Sequence, residues 1–373
     1  MNRLMKTPKS VDIEITNRCN LRCKHCSHFN SPGDVGIDLP AEEWLRFFEE
    51  LKSCAVMEVT LSGGEPFYRN DFRDLLTGIT RNKMRYSILT NGTLITDEMA
   101  KFITSTHRCN SIQISLDGSV PEIHDACRGM GSFMKAKEGI ACLKRHQIPL
   151  AVRVTINRYN VKDLENIAEL LLEEIGLSSF STNSATHFGL CKSNAEQVQL
   201  TPDEHYLAMK TLQILNNRYP DRIQAQAGPL DNLKAWSKMK KALSQGLEEP
   251  PNLGFGHLTS CGGPMANISV RSDGVIVPCN LLSHIELGRI NEDSLKEIWS
   301  HHPQLIRLRE RHKISLKDFE FCRGCDYIEY CRGGCPAVAY NILGNEYHPS
   351  PDSCLKRFLE ANGTLLVKRG DIL

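Results

Sequence analysis

Ten of the 15 cysteines in this sequence fall into tight groups, and their spacing is the first place to look for chemistry. Near the start stands Cys19-Asn-Leu-Arg-Cys23-Lys-His-Cys26, a C-x3-C-x2-C triad. Near the end Cys322, Cys325, Cys331, Cys335 and Cys354 crowd together, with Cys261 and Cys279 upstream of them. Cysteines kept for packing fall singly into apolar stripes, as the scattered Cys54, Cys109, Cys127, Cys142 and Cys191 mostly do. Three thiolates on one short loop can hold three irons of a [4Fe–4S] cube and leave the fourth iron open to a ligand that is not protein. Zinc is the alternative; a structural site wants four ligands, and His25 or His28 would supply the fourth.

Three further polar clusters follow at intervals. Gly63-Gly64-Glu65-Pro66 pairs glycines, which let backbone approach a ligand closely, with a carboxylate that can receive an ammonium group. Taken alone it is equally a plain β-α turn. Thr90-Asn91-Gly92-Thr93 and Ser115-Leu116-Asp117-Gly118 offer polar groups able to contact a ribose and a carboxylate. Each is a common turn individually; their joint placement at successive strand ends is not.

The elements that would position these groups are legible from 11 to 184. Strand-like runs VDIEIT (11–16), VMEVTL (56–61), YSILT (86–90), SIQISL (111–116), LAVRVTI (150–156) and SSFST (178–182) alternate with helical stripes. Phe72, Leu75, Leu76 and Ile79 form one such stripe; Leu164, Ile167, Leu171 and Ile175 form another, ahead of a stopping Gly176. Serial β-α units mean parallel strands with right-handed crossovers, and six units predict a partial (β/α)6 TIM-like barrel, open on one side. In such folds ligands sit at the carboxyl ends of the strands, where every cluster above falls. The expected organisation is a barrel over 8–184, a bridging segment over 185–260 with helices near 203–217 and 230–246, and a cysteine-rich domain over 261–360. In that last domain ANISVRSDGVIVPC reads as a hairpin turning at Asp273-Gly274. The rest has too few apolar residues to hold itself together unaided, so bound metal is expected to staple it.

Composition narrows the class. The 373 residues carry 45 Lys+Arg against 44 Asp+Glu, leaving no field of one sign to attract nucleic acid or an anionic membrane. The start lacks a secretory apolar region, and no run nears the roughly 18 apolar residues of a membrane helix. A cytoplasmic location is expected, where thiols stay reduced, so the cysteines argue for metal or catalysis rather than disulfides.

The triad and the GGEP turn resemble the radical SAM superfamily. The resemblance implies that Cys19, Cys23 and Cys26 hold a [4Fe–4S] cluster whose open iron takes the amine and carboxylate of S-adenosylmethionine (SAM). Reductive cleavage would then yield a 5′-deoxyadenosyl radical. It further implies that Gly63, Gly64, Glu65 and Pro66 serve the methionyl amine, that His25 lies next to the adenine, and that Asn91, Ser115 and Asp117 line the ribose and carboxylate side. His124-Asp125-Ala126-Cys127-Arg128-Gly129-Met130-Gly131-Ser132-Phe133 looks like the HDxxRGxxGSF stretch of peptide-modifying members, with one residue fewer between its glycines. There the arginine clamps the SAM carboxylate; a surface charge is the alternative for Arg128. The C-terminal spacing resembles the seven-cysteine SPASM pattern, which implies two auxiliary [4Fe–4S] clusters: Cys322, Cys325, Cys331 and Cys354 for the outer one, Cys261, Cys279 and Cys335 for the inner. A pair of zinc knuckles is the alternative. Residues 252–260 contain no cysteine to complete the inner cluster, leaving an open iron, His257 or Cys191 as its fourth position.

The resemblance also frames the substrate. Sulfatase-maturing relatives place an Asp base after the second auxiliary cysteine; here Asn280 stands there, and a neutral amide cannot take a proton. What remains is a maturase that abstracts hydrogen from a ribosomal peptide precursor and installs a carbon–carbon or thioether cross-link. A peptide epimerase, with Cys127 or Cys191 returning a hydrogen, and a small-molecule or tetrapyrrole oxidoreductase are the alternatives. Expected partners are the precursor, a ferredoxin- or flavodoxin-type electron donor and a separate leader-binding protein, because little chain precedes Cys19. The basic stretch Arg307–Lys313 is either a dock for an acidic leader or a solvated helix face.

Overall fold

In each barrel strand alternate residues turn outward to helices and inward to a bore, so one strand carries both packing and chemistry. The computed structural model describes residues 5–34, 36–245, 255–259, 262–361 and 363. Six parallel strands form its centre: Ser10–Thr16 (β1), Glu58–Gly63 (β2), Arg85–Thr90 (β3), Cys109–Ser115 (β4), Leu150–Ile156 (β5) and Phe180–Ser184 (β6). In β5, Val152, Val154 and Ile156 are buried while Arg153 and Thr155 face the bore. The helices bury the stripes their periodicity announces. Ala41–Ser53 buries Trp44, Phe47, Phe48 and Leu51, and Phe72–Arg81 buries Phe72, Leu75, Leu76 and Ile79. After Leu164–Glu169 the chain widens into a π turn at Leu170–Glu174, so Leu170, Leu171 and Leu172 are all buried and Ile175 only partly. The regular 3.6-residue stripe expected through Ile175 is broken by that turn.

Four short strands extend the sheet beyond the six. Ile223–Ala225 (β7), from the bridging segment, adds to β6. Asn267–Val270 (β8) pairs parallel to β1, with Ser10 opposite Asn267, and Val275–Val277 (β9) returns antiparallel. Gly288–Arg289 (β10) closes the order β10-β9-β8-β1-β2-β3-β4-β5-β6-β7. The hairpin turn includes Gly274, whose φ of 86° suits glycine. Side chains from β1 to β6 and from the hairpin line one cavity, so the sheet curls as a partial barrel with the C-terminal domain at its open edge.

That domain is not held by metal alone. Ile268, Val270, Ile276, Leu295, Ile298, Trp299, Leu305 and Leu308 join the same core cluster as the barrel's Val11, Ile13 and Ile15. The expectation of a staple-dependent region therefore fails for its first half, because β8 borrows β1 and with it the barrel core. The basic stretch is also neither dock nor solvated face throughout. Arg309 is buried, donating to the carbonyls of Pro264 (2.8 Å) and Trp299 (2.6 Å), and the buried Arg311 donates to that of Thr259 at 2.6 Å. Among the described residues no helix is long and apolar enough to cross a membrane.

Candidate active site

The triad loop leaves β1 at Thr16 and is pinned at once. Asp38 accepts from the Thr16 hydroxyl (2.7 Å), the Asn17 N–H (2.7 Å) and Arg18 Nε (2.9 Å). From the neighbouring strand end, the Gly64 N–H donates to the Thr16 carbonyl and the Glu65 N–H to that of Arg18, both at 2.8 Å. A Cβ on Gly64 would lie 2.1 Å from the Arg18 carbonyl oxygen and 3.1 Å from Cys19 Cβ, and Gly63 has φ 123°. The close approach that the paired glycines permit is thus to the cysteine loop itself. Cys19, Cys23 and Cys26 are all partly exposed on this loop. Burial pushes Cys19 up to about 11 and Cys23 up to about 12, so neither is a thiolate at neutral pH without a cation. Three cysteine sulfurs on one loop beside an open cavity fit a cubane with one free iron.

The other expected residues divide into those that line the mouth and those beneath it. Gly63, Gly64, Asn91, Ser115, His25 and Arg128 line a cavity of about 1010 Å³ together with the triad. Glu65 and Pro66 lie below it. Glu65 is fully buried, accepting from the Thr90 hydroxyl (2.6 Å), the Asn91 N–H (2.8 Å) and the Phe67 N–H (3.2 Å). It ties β2 to β3, and burial raises its carboxyl to about 7. Asn91 Nδ2 reaches Asn20 at 2.9 Å and Cys19 Sγ at 3.8 Å.

Asp117 is the buried hub. Its carboxylate accepts from Arg128 Nε at 2.5 Å and the Thr155 N–H at 2.7 Å, with His25 Nε2 at 3.5 Å. Burial pushes its pKa up, but Arg128 and the imidazoles outweigh that and hold it below the usual value. Arg128 Nη1 lies 3.9 Å from Cys23 Sγ, which puts the guanidinium beside the cluster position rather than on the surface. His25 also meets Cys127 Sγ at 2.8 Å, and burial lowers its pKa to about 4, so the imidazole is neutral.

The candidate hydrogen donors Cys127 and Cys191 do not line the cavity: they lie in the helices Pro121–Arg128 and Gly189–Ser193, buried in a small apolar cluster with Val198. The Cys191 N–H donates to the Cys26 carbonyl at 3.3 Å, so its segment buttresses the triad loop. Cys54, Cys109 and Cys142 sit with the main core.

In the C-terminal domain Cys322, Cys325, Cys331 and Cys354 converge around a cavity of about 30 Å³, the set expected for one cluster. Cys279 and Cys335 precede a short 3₁₀ turn and the helix Pro336–Leu343, while Cys261 lies outside the described residues. The His257 ring nitrogen Nδ1 meets the Phe255 carbonyl at 3.0 Å. Asn280 does reach the mouth, where its Oδ1 and that of Asn183 are buried without a partner among the described residues. The sequence reading missed Asn183, Arg153, Asp12 and Glu14 as mouth residues. Their signal was a polar residue at every second position of an otherwise apolar strand, as in VDIEIT and LAVRVTI.

Residues 13–171 match the family model of the radical SAM superfamily, and 261–326 that of the SPASM iron-sulfur cluster-binding domain. An AdoMet-dependent heme synthase of Methanosarcina barkeri is 26% identical, covering 94% of this chain and 97% of its own. A PqqA peptide cyclase of Ruegeria pomeroyi is 25% identical, covering 92% of this chain and 86% of its own. Among solved structures, Streptococcus suis SuiB bound to precursor peptide SuiA is similar with TM-score 0.71 and 16% identity, over 94% of this chain and 77% of SuiB, a likeness of fold. The triad loop and the glycine pair on which it docks fall within the first family match, and Cys261, Cys279, Cys322 and Cys325 within the second. The chain therefore carries a radical SAM domain, which uses SAM and a [4Fe–4S] cluster, and a SPASM domain for auxiliary iron–sulfur clusters, and is a radical SAM-type enzyme.

Proposed function

We propose that this enzyme modifies a ribosomally made peptide by abstracting hydrogen and installing a carbon–carbon or thioether cross-link. The observation that carries the reading is the open mouth of about 1010 Å³, lined from both edges of the barrel opening by the neutral amide residues Asn183 on β6 and Asn280 after β9. An amide offers both a donor and an acceptor, which suits the N–H and C=O groups of a peptide backbone. The PqqA peptide cyclase relative supports the same class.

Cys19, Cys23 and Cys26 would hold a cluster that, reduced and with SAM bound, would supply hydrogen-atom abstraction at a substrate carbon. The chain's own residues orient and enclose. Arg128, fixed by Asp117 beside Cys23, would hold the SAM carboxylate; Asn91 and Ser115 would serve the ribose side and neutral His25 the adenine. Glu65 holds β2 and β3 in register beneath the mouth. A ferredoxin- or flavodoxin-type donor supplies the electron. With Asn280 a non-base, and with Cys127 and Cys191 buried behind the mouth residues His25 and Cys26 rather than lining the cavity, neither alcohol oxidation by a carboxylate base nor hydrogen return by these thiols is favoured.

A tetrapyrrole substrate is the second reading, favoured by the heme synthase relative's 97% coverage. The test is to incubate a short peptide encoded beside this gene with reconstituted enzyme, SAM and reductant, and to weigh the product. Loss of two hydrogen atoms supports the proposal. Unchanged mass with deuterium taken from solvent indicates epimerisation, and an unchanged, unlabelled peptide counts against a peptide substrate.

A further inference from the structure

Three arginines line the mouth: Arg128, Arg153 and Arg271. Two are neutralised within the chain. Arg128 pairs with Asp117 at 2.5 Å, and Arg271 with Asp273 at 2.5 Å and Glu286 at 3.0 Å. Arg153 has no carboxylate partner among the described residues. Its one side-chain hydrogen bond there runs from Nε to Ser181 Oγ at 3.3 Å, leaving both terminal amino groups of the fork unused.

Nor is Arg153 an ordinary surface cation. It stands on β5 directly beside Ser115 in register, partly buried between the core residues Val152 and Val154. Burial pulls its pKa below the usual arginine value, a cost with no compensating charge. The carboxylates that share the mouth are engaged elsewhere. Asp12 on β1 accepts from Asn267 Nδ2 at 2.6 Å, and Glu14 lies 3.4 Å from His28. The bore thus carries an acidic wall on β1 and a lone guanidinium on β5.

We infer that Arg153 is the binding residue for a carboxylate carried by the substrate, held in a two-pronged grip by the free end of its fork. SAM's own carboxylate has a separate candidate in Arg128, whose Nη1 lies 3.9 Å from Cys23 Sγ. Arg153 precedes Thr155, which bonds to the Asp117 hub, by two strand residues, roughly 7 Å further down the bore. The inference rests on the mouth being the substrate site, as proposed above, but not on the substrate being a peptide. An acidic side chain and a tetrapyrrole propionate offer the same chemistry.

The experiment measures binding to the SAM-loaded holoenzyme of two probes: the gene-adjacent peptide and iron coproporphyrin III. Each is tested with free carboxylates and with those groups amidated or esterified, against wild type, Arg153→Lys and Arg153→Met. The expected result is that one free acid binds about tenfold or more tighter than its neutral form, that Arg153→Met abolishes the difference and that Arg153→Lys restores part of it. Peptide binding keeps both proposals. Porphyrin binding alone removes the peptide reading and keeps the role of Arg153. The inference is overturned if no acid outbinds its neutral form, if the preference survives Arg153→Met, or if the variant instead weakens SAM binding.

Discussion

Replacing Asp117 by Asn isolates the buried hub on which the SAM side of the mouth depends. The side chain is 1% exposed and that of Arg128 8%, with 2.5 Å between Oδ2 and Nε. Asn keeps the shape and can still accept the Thr155 N–H, but it leaves the guanidinium buried without its counter-charge. Breaking one side of such a pair costs about 3–5 kcal/mol. At about 2 °C or more per kcal/mol for a large domain, the melting temperature should fall by at least about 6 °C. The pH dependence has a definite sign. Because the folded-state pKa of Asp117 is depressed, its contribution is present above the ordinary carboxyl value and is lost as pH falls through the folded one. The gap between wild type and variant should therefore be constant at neutral pH and close only in acid. The assay is far-UV circular dichroism melting of anaerobic, reconstituted protein. The double variant Asp117→Leu/Arg128→Met, which removes both charges, should regain most of the loss while SAM affinity stays impaired. A single variant melting within about 2 °C of wild type, or a double variant no better than the single, would refute the reasoning.

Three other outcomes follow from the same geometry. Gly64→Ala sets a Cβ 2.1 Å from the Arg18 carbonyl oxygen, so it should displace the triad loop and cut iron retained at that loop by half or more, read by iron analysis and electron paramagnetic resonance, with the auxiliary signals unchanged. Glu65→Gln should flatten stability against pH: a buried carboxyl raised to about 7 favours the fold below its unfolded value and loses that contribution as pH rises through about 7. Melting temperatures between pH 5 and 8 check this, and a slope equal to wild type's would contradict it. Cys354→Ala should leave the triad cluster intact while lowering total iron, because Cys354 closes the cavity shared with Cys322, Cys325 and Cys331.

Much of this was legible in the sequence because the barrel repeats one rule: an apolar strand, a polar group at its carboxyl end, a helix. Cys19, Gly63, Asn91 and Ser115 stand at or just past the carboxyl ends of four successive strands and meet in one mouth for that reason. What stayed hidden depends on pairing between distant segments. No local pattern in NISV tells that Asn267 will sit opposite Ser10, so the C-terminal domain's debt to the barrel core could not be read. The same holds for Arg309 and Arg311, whose charges suggest surface until their carbonyl partners at Pro264, Trp299 and Thr259 are known. The Gly63-Gly64 pair was found for its ligand chemistry, yet its tightest contact is with the cysteine loop.

The central claim is that the triad at the mouth holds the cluster that works on SAM. Anaerobically reconstituted, dithionite-reduced protein incubated with SAM should form 5′-deoxyadenosine and methionine, and Cys23→Ala should lose that reaction nearly completely while keeping its auxiliary iron. Equal 5′-deoxyadenosine from wild type and Cys23→Ala, or none from a wild type loaded with about twelve irons, would contradict the account.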